Sequence, residues 1–263
     1  LTSYDGHAIT YDANGNPLSY YNGQNYTFTW QKGRQLASAV KGGVTSAYTY
    51  DGNGIRATKT VGGVTHTYVT EGSRIIKETW GSQYLLYSYD ENGAVDGIEY
   101  FNGTSAQKYY FLKNLQGDVV TIRDENNTVI ANYAYDVWGK LLSVTDASGN
   151  AIISATHIAN INPIRYRGYY YDTETGFYYL QSRYYDPQIG RFLNADSVDY
   201  LGVGDELLSF NLYAYCGNNP VLRNDSEGTL SWKAKIHLTV NDEEIICTPG
   251  HPFYSPVKGW TKA

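Results

Sequence analysis

An aromatic residue followed within a few polar residues by glycine recurs at a steady interval through the first 150 residues. The units are Tyr11-Asp-Ala-Asn-Gly15, Trp30-Gln-Lys-Gly33, Tyr50-Asp-Gly-Asn-Gly54, Tyr68-Val-Thr-Glu-Gly72 and Tyr89-Asp-Glu-Asn-Gly93. Their leading aromatics are 19, 20, 18 and 21 residues apart. Two looser units follow, Tyr110 to Gly117 and Tyr135-Asp-Val-Trp-Gly139. About 20 residues make two strands and two turns. Asp51-Gly52 and Asn53-Gly54 are hairpin-turn pairs, and Gly42-Gly43 and Gly62-Gly63 supply turns at the opposite end. A lone hairpin buries too little surface to stand alone, so its neighbours must stack beside it. The predicted fold is all-β: one long antiparallel strip of hairpins over residues 1–150, coiled by the intrinsic twist of its strands.

In such a strip tyrosine packs and aspartate closes turns, which accounts for the repeated residues without a ligand. A carbohydrate contact is the functional alternative, but a sugar site should be local rather than periodic. Tyr numbers 28 and Gly 27 among 263 residues, whereas charged residues make up only 17%. The net charge is −6 and no run of Lys or Arg stands out, which argues against a nucleic-acid groove. No stretch of 18 apolar residues is present, so no membrane span is expected. The chain starts at Leu1 and contains no Met, so it is expected to be a piece of something longer, and a missing targeting signal carries little weight. Two cysteines, Cys216 and Cys247, make no disulfide framework.

Residues 109–144 continue as strand pairs, whereas Ala151 to Ile161 lacks alternation and suits a short helix ended by Pro163. From Tyr166 the composition changes again. Eight of the 21 residues from Tyr166 to Asp186 are tyrosine, in paired-Tyr, Asp and Gly patterns that read as strand, turn, strand. This stretch, RYRGYYYDTETGFYYLQSRYYDPQIGRF, together with the closing NLYAYCGNNPV, resembles the Rhs-repeat-associated core domain of bacterial Rhs/YD-repeat proteins. YFLKNLQGDVVTI and YDVWGKL resemble the segment before that core, and the hairpin units resemble YD repeats. The resemblance implies part of a spiral β-shell over 1–150 and a core plug over 151–228. The enclosed cargo would be a C-terminal toxin domain.

The resemblance also implies chemistry. Many members carry two DPxG-type sites whose aspartates act as a pair and cut the chain just after the second site. Two close carboxylates cannot both ionise freely, so one donates a proton while the other accepts. By position these are Asp196 and Asp225. Both depart from the pattern, because Ser197 and Ser226 stand where proline is usual. Asp199 and Asp205 lie close enough to confuse the assignment, and a turn or cap role is the plainer reading of either acid. Cys216 sits among turn residues with no histidine between His157 and His237, which suits a small buried hydrophobe rather than a nucleophile.

Residues 229–263 shift once more. SWKAKIHLTV alternates as a strand, and TPGHPF followed by a Gly-Trp pair resembles block B of a Hint (intein-like) domain. The resemblance makes Thr248 and His251 the assisting pair for an acyl shift. The nucleophilic Cys expected at the start is missing, since Thr229-Leu-Ser-Trp stands there, so this partial Hint-like segment is expected to be inactive. A turn histidine between prolines is the plain reading of His251. A metal set of His237, Cys247 and His251 lacks a close-spaced ligand pair, and no metal or cofactor is expected. Three readings stand: a shell and core portion of a polymorphic toxin, an aspartyl autoprotease that releases the C-terminal segment, and a teneurin-like surface adhesin binding carbohydrate. For the first, the expected partners are a C-terminal toxin domain, its immunity protein and further shell repeats, and the expected location is secreted or on the bacterial surface.

Overall fold

The computed structural model describes residues 1–197, 210–225 and 228, and beyond them the backbone of five short strands between 233 and 262. A small hairpin, β1 (Ser3–Tyr4) and β2 (His7–Ala8), opens the chain. The strip follows as β3 (Thr10–Tyr11), β4 (Pro17–Tyr21), β5 (Asn25–Gln31), β6 (Gln35–Lys41), β7 (Val44–Tyr50), β8 (Arg56–Val61) and β9 (Val64–Glu71). It continues as β10 (Arg74–Trp80), β11 (Gln83–Tyr89), β12 (Val95–Phe101), β13 (Ala106–Lys113), β14 (Val119–Asp124), β15 (Val129–Tyr135) and β16 (Leu141–Thr145). These form one 14-stranded antiparallel sheet in strict chain order, as the repeat predicts.

The repeat has a local cause. The pairing register shifts immediately before Tyr11, Trp30, Tyr50, Tyr89 and Tyr135, so each leading aromatic follows a β-bulge. Each then donates its polar tip to a backbone carbonyl one hairpin back. Trp30 Nε1 reaches Pro17 O at 2.6 Å, Tyr50 Oη reaches Leu36 O at 2.9 Å, and Tyr89 Oη reaches Ile75 O at 2.7 Å. Tyr135 Oη reaches Val119 O at 3.0 Å. The aspartates close the turns: Asp51 Oδ1 accepts the N–H groups of Asn53 and Ile55, and Asp90 Oδ1 those of Asn92 and Ala94, all at 2.9 Å. The fourth unit is out of phase. Tyr68 pairs with Glu78 inside the sheet and belongs with the buried Tyr48 and Tyr87, while Thr70 takes the place next to the turn.

The predicted helix spans only Ile158–Ile161 (α1) and is capped at Asn162, before Pro163. A second sheet follows: β17 (Tyr170–Asp172), β18 (Phe177–Leu180), β19 (Arg183–Asp186) and β20 (Arg191–Phe192), again in chain order. Every residue of β18 and β19 is buried, because both faces are covered. Phe177, Tyr179 and Tyr184 face the strip, whereas Tyr178 and Tyr185 pack with Tyr166, Tyr169, Phe192 and Tyr215. The core meets the strip along most of its length. Tyr20 Oη donates to Asp186 Oδ2 at 2.8 Å, Tyr68 and Tyr170 hydroxyls lie 3.0 Å apart, and Tyr133 Oη donates to Ala159 O at 2.6 Å. Laid flat, 14 strands would span roughly 60 Å. A core this small touches both β4 and β15 only because the strip coils around it.

The tyrosine plug fits the strip's turns closely. Gly139 has φ +86°, and a Cβ there would lie 2.4 Å from the Tyr166 ring. Gly139→Ala therefore combines left-handed strain with overpacking, and is expected to cost at least ~2 kcal/mol in urea unfolding. A loss below about 0.5 kcal/mol would place it with ordinary surface changes and contradict this packing.

Candidate processing site in the core

Arg183 opens β19 after a tight turn at Gln181-Ser182, where Ser182 N–H donates to Leu180 O at 2.6 Å and Gln181 has φ +58°. Its side chain is 1% exposed and lies over the Phe192 ring, 3.5 Å from the centroid. The chain brings both predicted acids to this one group. Arg183 Nη2 is 3.0 Å from Asp196 Oδ2 and 3.2 Å from Asp225 Oδ2. Nη1 donates to Leu212 O at 3.0 Å, and Nε donates to the Gly228 carbonyl. Asp196 is held just past β20, its N–H donating to Leu212 O at 3.0 Å, and Asp225 follows the short strand β21 (Arg223–Asn224). Tyr169 Oη donates to the Asp225 carbonyl at 2.5 Å.

The two carboxylates are 3% and 1% exposed. Each buried ion loses several kcal/mol of hydration, and a partner cation is what makes such burial tolerable. Burial pulls the Arg183 guanidinium below its ordinary value, and the charges of Asp196 and Asp225 push it back up. Arginine stays protonated throughout. Its cation therefore lies between the acids and offsets their mutual repulsion. At the first site, Asp196 Oδ1 accepts the Ser197 N–H at 2.8 Å, a donor that the usual proline would lack.

Arg183 was missed in the sequence because SRYYD reads simply as a strand. The available signal is a charge in a tyrosine run buried on both faces, which demands a partner. Cys216 is buried against Tyr215 and the second tyrosine cluster, as a small hydrophobe is. Asp199, Asp205, Thr248 and His251 lie outside the described residues, as do the side chains of His237 and Cys247. Among the described residues no group of three or more His, Cys, Asp or Glu could hold a metal ion, and no helix is long and apolar enough to cross a membrane.

A second buried acid, Asp186, makes no ion pair among the described residues. It accepts from Tyr20 Oη at 2.8 Å, Asn22 Nδ2 at 2.7 Å and Gln188 N–H at 2.8 Å. Burial pushes its carboxyl up to about 6 despite these donors. The folded state thus binds this proton more tightly than the unfolded chain, so the Asp186 contribution to stability worsens as pH rises from ~4 to 6. Its full cost above pH 6 is about 3 kcal/mol. A carboxyl-carbon NMR titration should show a midpoint near 6, and a midpoint at the ordinary aspartate value would contradict this burial.

A hairpin strip coiled on a tyrosine plug, with bulged aromatic-Asp-Gly turns, is the architecture of a YD-repeat shell wall. The chain belongs to the Teneurin YD-shell family, whose sequence profile matches residues 73–221, and it is an Rhs/YD-repeat protein. It is 34% identical to the tRNA nuclease WapA of Bacillus subtilis strain 168 over 268 residues, covering 100% of this chain and 10% of that protein. Toxin protein Tse5 of Pseudomonas aeruginosa shares 43% over 68 residues, 26% of this chain and 5% of that one. The solved TcdB2-TccC3-Cdc42 structure aligns with a TM-score of 0.62 at 24% identity, over 83% of this chain and 11% of that chain. That likeness shows the shared fold. The chain spans about one tenth of the length of the WapA nucleases it matches.

Proposed function

We propose that this chain is the shell-and-core portion of a bacterial Rhs polymorphic toxin, which encloses or presents an effector that follows it. The observation that carries the reading is the core filling the concave side of the strip from β4 to β15. Relatives with toxin and nuclease names support it. The partners are then further shell repeats, the effector and its immunity protein, and the protein is secreted or displayed on a bacterial surface. The test is trypsin digestion of the protein carrying its remaining repeats and effector. Enclosure protects the effector in the native protein, and an effector cut as fast as an unfolded control would overturn it.

A second activity, self-cleavage after the core, is supported by the convergence of Asp196 and Asp225 on Arg183. The adhesive reading has no comparable support, since the repeat aromatics and aspartates are engaged in capping carbonyls and turns. The Hint-like reading of 229–263, with Thr248 and His251 as a remnant pair, is supported by the TPGHPF string and the Gly-Trp pair after it.

A further inference from the structure

The turn after β13 repeats the build of its neighbours with one change. Lys113 pairs with Val119 beside a β-bulge, as Tyr50 does with Arg56, Tyr89 with Val95 and Tyr135 with Leu141. Asn114 Oδ1 accepts the N–H groups of Gln116 and Asp118, as the turn aspartates do in their units. A lysine therefore stands in the slot of a leading aromatic. Thr70 stands at the turn before Tyr89, so Tyr89 lacks an aromatic neighbour in this row on either side. A cavity of about 490 Å³ opens here between strip and core, within the usual size range of small-molecule sites.

The cavity is lined by the rings of Tyr87, Tyr89 and Tyr179 and by the cations Arg74, Lys113 and Arg167. No Asp or Glu is among its described lining residues. The tyrosine hydroxyls are already engaged. Tyr87 donates to Glu78 Oε2 at 2.8 Å, Tyr89 donates to Ile75 O, and Tyr179 accepts the Arg56 N–H at 2.9 Å. Ring carbon is what they offer a ligand. Arg167 is engaged too, with its Nη atoms on Gln116 and Pro220 and its Nε 3.5 Å from Asp118. Arg74 lies over the Tyr89 ring, 5.5 Å from its centroid. Neither the Arg74 nor the Lys113 side chain makes a hydrogen bond or an ion pair among the described residues. Burial pulls the Lys113 ammonium below its ordinary value, and Asp90 and Asp96 offset this only in part. A half-buried ammonium without an acceptor is costly, and an anion brought to it removes that cost.

We propose that this cavity binds a small aromatic anion, a carboxylate or a phosphate ester. Arg74 and Lys113 hold the charged group, and the ring packs against Tyr87 and Tyr89. These residues belong to the strip, whereas Arg167 and Tyr179 belong to the core. A bound ligand therefore bridges the two and stabilises their contact.

The test is calorimetric titration of the purified chain with benzoate and phenylphosphate, beside inorganic phosphate and benzyl alcohol. At least one aromatic anion should bind about tenfold or more tightly than either control, because one control lacks the ring and the other the charge. Lys113→Gln should weaken that binding about tenfold or more, the worth of one charge-assisted hydrogen bond. Its melting temperature without ligand should not fall. Lys113→Tyr restores the repeat's own residue, whose hydroxyl can reach Val95 O by the pattern of Tyr50 and Leu36. It should fill the cavity, abolish binding and raise the melting temperature of the free chain. A wild-type chain that binds neither aromatic anion more tightly than the two controls would overturn the site. So would Lys113→Gln and Arg74→Gln variants that both bind as wild type does.

Discussion

Asp172→Ala is expected to destabilise the folded chain by about 3–5 kcal/mol, the cost of leaving the buried Arg56 guanidinium without its anion. Asp172 is fully buried and accepts from Arg56 Nη1 at 2.6 Å and Lys59 Nζ at 2.9 Å. Burial alone would raise its carboxyl, but Arg56 and Lys59 outweigh this and hold it below the usual aspartate range. Its contribution is therefore complete above pH ~4 and is lost as pH falls through the lower folded value. Arg56 is enclosed by the rings of Tyr48, Tyr68, Tyr170 and Tyr179, with centroids 5.5, 5.1, 4.6 and 4.3 Å away, so it has no route to water. Two of these rings belong to the strip and two to the core. The ion pair thus pins one to the other, and its loss acts on the interface that defines the architecture. Calorimetry at pH 7 should show a melting temperature lower by roughly 10 °C. The double variant Arg56→Met, Asp172→Leu should recover most of the loss, because apolar groups can replace a buried pair and Lys59 keeps its second anion, Glu174, at 3.2 Å. A drop of less than about 1 kcal/mol for Asp172→Ala would mean that water reaches the cluster.

The second large effect concerns chemistry. If the proposed self-cleavage operates, Asp196→Asn and Asp225→Asn should each slow it by about 10²–10⁴-fold, the contribution of a positioned proton acceptor or donor. Each variant keeps the shape of the carboxylate and leaves Arg183 one acid, so folding should survive where Asp172→Ala suffers. The readout is the fraction of full-mass chain remaining over time. Equal rates in wild type and both variants would assign any cleavage to something other than this pair.

The strip was legible because its signals are local. A bulge, a turn aspartate and a glycine all fall within a few residues of each leading aromatic. The fourth unit shows the limit of that reading. Tyr68 is the wrong tyrosine to lead it, and the 18-then-21 spacing was the visible sign of the slip. The core's hairpins were legible for the same local reason. How core and strip meet was not, since residues such as Tyr20 and Asp186 are 166 positions apart and nothing local encodes their contact. The acids at 196 and 225 were marked by family resemblance and not by any local pattern. Arg183, which joins them, was hidden because a buried arginine in a tyrosine strand has the same sequence signature as an edge-strand charge.

The core is an integral plug of the coiled strip, and amide hydrogen exchange tests this most directly. If it is, the amides of Phe177–Leu180 and Arg183–Asp186 exchange only with global unfolding, at the same free energy as those of β5 and β7. If the core amides exchange well before the strip opens, the core is a separable lid, and the proposed enclosure fails.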